Sequence, residues 1–148
     1  MEFIPITNES QQISEFEDHL EAKSIVEFTQ EFYQKVGFNP PWIGYFASEG
    51  GNLVGTAAFK GRPKNHKVEL AYATFEAFQQ QGIATKMCRT LVSIALKDDP
   101  SIKITARTLM EENPSTKVLK KNGFSFAGTI VDPEDGEVWE WVYTQDNG

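Results

Sequence analysis

The sequence predicts one mixed α/β (α+β) domain, and three observations carry that prediction. Segments of strand and helix character follow the order strand, helices, three strands, helix, strand, helix, two strands. The middle of the chain runs strand–helix–strand–helix, which calls for a right-handed crossover and at least one parallel pair. Finally, 148 residues that are 40% hydrophobic and 24% charged suit a single domain over 1–148, and no repeat, linker or low-complexity tract interrupts them.

Each element has a local reason. Phe3, Ile4 and Ile6 form a short first strand that Pro5 confines to a sheet edge. Ser14 and Glu17 have the spacing of a capping box. Ile25, Phe28, Phe32 and Val36 then recur at helical spacing up to Gly37, giving one or two helices with a boundary near 22–24. "NPPWIGYFAS" ends this stretch and starts a strand at 42–48; "EGGN" turns the chain into a second strand at 53–61. "KVELAYATF" (67–75) is a third strand, with Leu70 and Tyr72 on one face and Glu69, Ala71 and Ala73 on the other.

Ile83, Met87, Leu91, Ile94 and Ala95 make the apolar face of the next helix, which ends at "KDDP". "SIKITART" (101–108) is a strand. Asn113 or Ser115 caps a helix through about Lys121, with Pro114 allowed in its first turn and Gly123 as its stop. "FSFAGTIV" (124–131) and "EVWEWVYT" (137–144) flank the turn 132–136 as a hairpin. Trp42, Trp139 and Trp141 are expected to pack on the sheet.

Composition excludes several classes. A net charge of −7 argues against a broad nucleic-acid surface and is compatible with a cationic amine as substrate. Cys88 is alone, so no internal disulfide is possible. With Cys88, His19 and His66 far apart there is no zinc spacing, and no GxSxG elbow marks a serine hydrolase. "MEFIPITNES" lacks the basic segment and apolar run of a signal peptide, and no apolar run reaches membrane-spanning length. A cytoplasmic protein, monomer or homodimer, without metal, membrane or nucleic-acid partner, is expected.

The stretch "FQQQGIATKM" (78–87) carries the chemical signal. The first N–H groups of a helix have no internal partner, and the helix dipole adds positive charge there. A glycine allows an anion to approach such a terminus closely. Read alone, "QQQGIAT" is either an ordinary strand–helix turn or a pyrophosphate cradle. It is neither a Walker loop nor a GxGxxG fingerprint.

Gln79-Gln80-Gln81-Gly82-Ile83-Ala84 fits the pattern [QR]-x-x-G-x-[GA]. "VELAYATFEAFQQQGIAT" precedes "ITARTLMEENPSTKVLKKNGF" in the right order. In these features the chain resembles the GNAT superfamily of acetyl-CoA-dependent N-acetyltransferases, in particular the branch of ribosomal-protein N-terminal acetyltransferases. The resemblance implies a mostly antiparallel sheet of about seven strands with a splayed parallel pair, flanked by helices. It implies acetyl-CoA as cosubstrate in the splay. Leu70, Ala71, Tyr72 and Ala73 would pair with pantetheine. The amides of Gln80, Gln81, Gly82, Ile83, Ala84 and Thr85 would hold the pyrophosphate beside Gln79, and Asn113 would contact the cofactor. Two departures stand out. Asn113 to Leu119 is one residue shorter than the family's spacing, and Leu119 occupies the position where many members have a tyrosine as general acid.

Acetyl transfer needs a neutral amine, a polarised carbonyl and a protonated leaving thiol. Glu69 is the candidate proton acceptor, and a main-chain N–H near Ala71 the candidate for polarising the carbonyl. Ser115 either donates to the thiolate or caps its helix, and Tyr72 is a further hydroxyl. Cys88 has no nearby base and is expected to pack. The acceptor, a small-molecule amine or a protein N-terminus, is expected between the first helices (14–36) and the loop 132–136, with Glu31, Asp132, Glu134 and Asp135 available to attract a cation. The alternative is a non-catalytic acyl-CoA-binding domain of the same fold.

Overall fold

The computed structural model describes residues 1–144. The chain forms β1 (Glu2–Pro5), α1 (Gln11–Glu15), α2 (Leu20–Val36), β2 (Gly44–Glu49), β3 (Asn52–Phe59) and β4 (Lys67–Thr74). After a 3-10 turn at Glu76–Phe78 come α3 (Ile83–Asp98), β5 (Lys103–Thr108), α4 (Pro114–Lys121), β6 (Phe124–Asp132) and β7 (Gly136–Tyr143). The seven strands form one sheet in the order β1-β2-β3-β4-β5-β7-β6. Every neighbouring pair is antiparallel except β4–β5. Pro5 does sit on an edge strand, where its missing N–H costs no ladder bond. Among the described residues no helix is long and apolar enough to cross a membrane.

The two faces of the sheet are covered differently. Leu70 and Phe59 share the main core with Met87, Leu91 and Ala95 of α3 and Leu119 of α4. The opposite face meets α2, whose Ala22 and Val26 pack with Ile6 and Phe46 in a smaller core. Tyr33 anchors that helix. Its hydroxyl donates to the Ile6 carbonyl at 2.7 Å and accepts from the Gly44 N–H at 2.9 Å. Burial pushes the Tyr33 phenol up to about 12.

The first helical region differs from the expectation. Ser14 lies inside the five-residue α1 and forms no capping box. The break falls at 16–19, and His19 caps α2 by accepting the Ala22 N–H on Nδ1 at 3.1 Å. Histidine has a ring acceptor at the same reach as an Asn or Asp oxygen, which is why it can serve here. The helical stripe also resolves differently: Ala22, Val26 and Tyr33 face the core, whereas Phe28 is 72% exposed.

The three tryptophans pack as expected. Trp42 meets Phe59 edge-on, and the buried Trp141 donates its indole N–H to Thr108 Oγ1 at 3.0 Å. Trp139 lies edge-on to both Phe126 and Trp141.

Replacing Tyr33 with Phe should leave the Gly44 N–H and the Ile6 carbonyl buried without partners. A loss of about 1–3 kcal/mol is expected, read in urea as a lower midpoint at unchanged m-value.

Candidate active site

The site begins where β4 and β5 part. The parallel ladder pairs only Lys67–Glu69 with Lys103–Thr105. Beyond it β4 stays with β3 as far as Thr74, and β5 stays with β7 as far as Thr108. Alternation along a strand decides which main-chain groups face the gap. The Glu69 carbonyl accepts from Lys60 N at 2.8 Å and Phe75 N donates to Val54 O at 2.9 Å, so Glu69, Ala71 and Ala73 face β3. The N–H and C=O groups of Tyr72 and Thr74 therefore face the gap, while the Leu70 N–H closes the last step of the parallel ladder, where Glu69 stands in register with Thr105. This corrects the expectation for Ala71, whose amide is turned into the β3 ladder; Tyr72 presents the first free strand amide to the splay.

The loop after β4 closes one end of the gap. Gln79 Nε2 donates to the Thr74 carbonyl at 3.4 Å, tying the loop back to its strand. Gln80 and Gly82 both adopt left-handed φ, at 64° and 79°. Gly82 is the N-cap of α3, without a side-chain cap, and its carbonyl accepts the first helical bond from Lys86 N at 3.2 Å. Among the described residues, no main-chain N–H from Gln80 to Thr85 donates to a protein acceptor. A Cβ built on Gly82 meets nothing within 4 Å. The glycine is thus required by backbone conformation and its side leaves open space.

Facing this terminus is the first turn of α4. Asn113 is the cap: its Oδ1 accepts from Thr116 N at 3.1 Å, and Thr116 Oγ1 accepts from Asn113 N at 3.0 Å. That settles the open choice at this helix, because Ser115 is not the cap. The Ser115 hydroxyl has no protein hydrogen-bond partner among the described residues, while its carbonyl lies 3.5 Å from the Tyr72 hydroxyl.

Three cavities run in series through these elements. A cleft of about 520 Å³ is lined by Tyr72, Ala73, Thr74, Gln79, Gln80, Gly82, Ile83, Ala84 and Thr85 on one side, and by Asn113, Ser115, Lys117 and Lys121 on the other. Asn113 and Ser115 also line a second cavity of about 290 Å³, under the 132–136 turn, together with Lys60, Arg107 and Asp132. Lys60 in turn lines a groove of about 810 Å³ between α2 and the sheet. Of the residues singled out from sequence for the cofactor, the chemistry and the acceptor, Glu31, Glu69, Leu70 and Gln81 line none of the three; Leu70 is buried in the core.

Glu69 lies on the face opposite the cleft and is 17% exposed. Its Oε2 is 3.2 Å from Lys60 Nζ and its Oε1 is 3.5 Å from Arg107 Nε. Arg107 Nη1 also meets Asp132 Oδ2 at 2.8 Å, and its Nε lies 4.0 Å from Glu140. A single guanidinium thus gathers three carboxylates from three strands. Asp132, expected from sequence to be available to attract a cationic acceptor, is 9% exposed and fully engaged. Its Oδ1 accepts from the Glu134 and Asp135 amides at 2.8 and 3.1 Å, building the turn. The Glu134 amide, then Arg107, then the Asp135 amide hold the Asp132 carboxyl down to about 2.

Sequence reading missed Lys60, Arg107, Lys117 and Lys121. Arg107 and Lys60 lie far from Glu69 in the chain, and only the sheet register brings them together. The two lysines stand at a spacing of four on α4 (one turn), a signal that was available. Cys88 is fully buried beside Tyr72, and burial pushes its thiol up to about 12. Leu119, at the position of the family's tyrosine, is core and offers no hydroxyl to the cleft.

The family described as an acetyltransferase (GNAT) domain matches residues 1–125. The chain belongs to the GNAT acetyltransferase family. A curated relative, the uncharacterized N-acetyltransferase YjdG of Bacillus subtilis (strain 168), is 29% identical over 92 residues, 62% of this chain and 52% of that protein. The matched stretch thus spans about half of that relative's length.

Solved structures share the GNAT fold. RimL, a ribosomal L7/L12 α-N-protein acetyltransferase in complex with coenzyme A, superposes with a TM-score of 0.68 at 15% identity, over 95% of this chain and 91% of that chain. A chimera of the spermidine N-acetyltransferase SpeG from Vibrio cholerae and hSSAT gives 0.70 at 12% identity, over 96% and 94%. The aminoglycoside acetyltransferase AAC(6')-Ib in complex with coenzyme A gives 0.59 at 24% identity, over 70% and 66%. These likenesses concern the fold.

The Asp132 carboxyl is depressed from 3.8 to about 2 in the folded protein. A depressed carboxylate adds stability above its unfolded pKa and loses it as pH falls through the folded value. Asp132→Asn should therefore be less stable than the parent at neutral pH, with the difference shrinking between pH 4 and 2. Thermal unfolding followed across that range reads it; a difference that stays constant with pH would contradict the assignment.

Proposed function

We propose that the protein is an acetyl-CoA-dependent N-acetyltransferase that moves the acetyl group to a primary amine by direct transfer within a ternary complex. The observation that carries this reading is the open edge of β4 ending at an unpartnered helix N-terminus. One cleft contains both, and two lysines stand across it. Such a cleft suits a long ligand with an amide-bearing arm and a phosphate end. The free amides from Gln80 to Thr85 match phosphate oxygens, assisted by the α3 dipole. Lys117 and Lys121 add charge at the same end. Tyr72 and Thr74 offer strand-like hydrogen bonds to the arm.

Bound acetyl-CoA supplies an activated acyl thioester. The N–H of Tyr72, facing the splay, polarises the carbonyl in place of Ala71. Ser115, at the junction of the cofactor cleft and the second cavity, donates a hydrogen bond toward the sulfur. Tyr72 stands beside it; burial pushes its phenol well above the ordinary range, so it remains a donor. Glu69 takes the amine proton through water. Lys60 is 48% exposed on its side chain and is free to swing into solvent, which releases Oε2 for this task. The small second cavity between Ser115 and Lys60 is where amine and acetyl group meet. A single domain over 1–148 is sufficient for this chemistry.

Acetyl-CoA at about a hundredfold excess over Kd should stabilise the fold by about 2.7 kcal/mol. No thermal shift with acetyl-CoA, against a clear one with ATP or NAD, removes the reading. In amide exchange followed by NMR, Tyr72 should exchange rapidly in the free protein and become protected with acetyl-CoA. Ala71 and Ala73 should be slow in both states. With a good acceptor, Glu69→Gln should lower kcat/KM by about 10²–10⁴ at neutral pH, and full retention of rate takes Glu69 out of the proton-transfer role. Gly82→Val should both weaken acetyl-CoA binding and destabilise the fold by about 1–2 kcal/mol, because only glycine adopts that φ without strain.

A further inference from the structure

The groove under α2 has features that the cofactor cleft does not explain. Its floor is a row of small residues in direct cross-strand register, Gly44 with Ala58 and Ala58 with Ala71. Its roof is the second apolar stripe of α2, made by Ile25, Phe28 and Phe32 at helical spacing. Ile25 and Phe32 are partly buried against the cores, and the fully buried side of α2 is a different stripe, Ala22, Val26 and Tyr33. Phe28 is left 72% exposed, a large aromatic side chain over an apolar space of about 810 Å³. A cavity of that size is in the range of about 300–1,000 Å³ that holds a drug-sized ligand.

Charge narrows the ligand. Glu21, Lys60 and Glu134 are the charged residues that line the groove, and Lys60 is already paired with Glu69. Two carboxylates suit one ammonium group; a polycation would leave most of its charge unpaired against Phe and Ile side chains. Position narrows it further. Ala71 lines the groove at the segment of β4 where its neighbour Tyr72 faces the splay. Ile6 and Tyr33 bound the groove at one side and Glu134 of the hairpin turn at another. The space suits a compact molecule.

We propose that this groove is the acceptor site and that the acceptor is a small primary monoamine with a large apolar body. The inference rests on the acetyltransferase reading above. The neutral amine nitrogen bonds to the acetyl carbonyl carbon, the carbon–sulfur bond breaks, and the sulfur leaves with the proton balance closed as free coenzyme A thiol. The product is a neutral, apolar amide.

The test compares butylamine, hexylamine and octylamine with spermidine, an aminoglycoside and the peptide Phe-Gly-Gly, following thiol release from acetyl-CoA. Within the alkyl series kcat/KM should rise about fourfold per methylene, the gain for each buried CH₂. Octylamine should exceed spermidine and the aminoglycoside. Phe28→Ser should cut kcat/KM for octylamine about tenfold and barely change it for butylamine; Ala58→Leu, which fills the floor, should do the same. The thermal shift with acetyl-CoA establishes that each variant is folded. A flat alkyl series, turnover of spermidine or the aminoglycoside above octylamine, or no turnover of any alkylamine by protein that binds acetyl-CoA overturns the assignment and leaves the cofactor reading standing. Phe-Gly-Gly above every free amine overturns the small-molecule assignment in favour of a peptide terminus. Absence of the acetyl-CoA shift removes the parent reading.

Discussion

Two strands that run parallel and then separate organise everything else in this molecule. β4 and β5 share a ladder only at Lys67–Glu69 and Lys103–Thr105. Each is then held from its outer side, β4 by β3 and β5 by β7, so the inner edges have no strand to pair with. Buried main-chain groups are rarely left without partners. The gap is therefore a place where water or an extended ligand must complete the sheet. The α3 terminus and the first turn of α4 converge on the same gap, and this brings the free amides, Asn113, Ser115 and two lysines to one cleft.

The same separation puts a demand on the opposite face. On that face Glu69 of β4 and Arg107 of β5 stand where the two strands part, and both are charged. Arg107 lies within ion-pair reach of three carboxylates, and through its hydrogen bond to Asp132 it fixes the β6–β7 turn to β5. Ion pairs at such partly exposed positions add modest stability. Their geometric effect is larger: the turn that carries Glu134 is held at the rim of the groove instead of waving in solvent.

Much of this was legible in the sequence, and the failures have physical causes. Strand and helix order, the edge position of β1, the Gly82 loop and the second hairpin all follow from local pattern. The His19 cap was missed because histidine is a rarer cap than Ser14 with Glu17 three residues on, and tertiary packing overrode that local signal. Ile25, Phe28 and Phe32 were read together with Val36 as an ordinary apolar face. Periodicity reports that a stripe is apolar; it does not report whether protein or ligand covers it. The direction of the Ala71 amide depends on which neighbour it pairs with, a property of the sheet and absent from any window of residues. Glu69 was noticed, but Lys60 and Arg107, which bracket it, come from other strands.

Because Gly44, Ala58 and Ala71 lie on one side of the sheet while the α3 terminus lies on the other, a single layer of backbone partitions the two cavities. Changes to one compartment need not propagate to the other, since substitutions without shared partners tend to add independently. A chain with this layout can change the groove by altering α2 and three small floor residues, with the cleft at the α3 terminus untouched. Modularity of that kind comes from the thickness of one sheet.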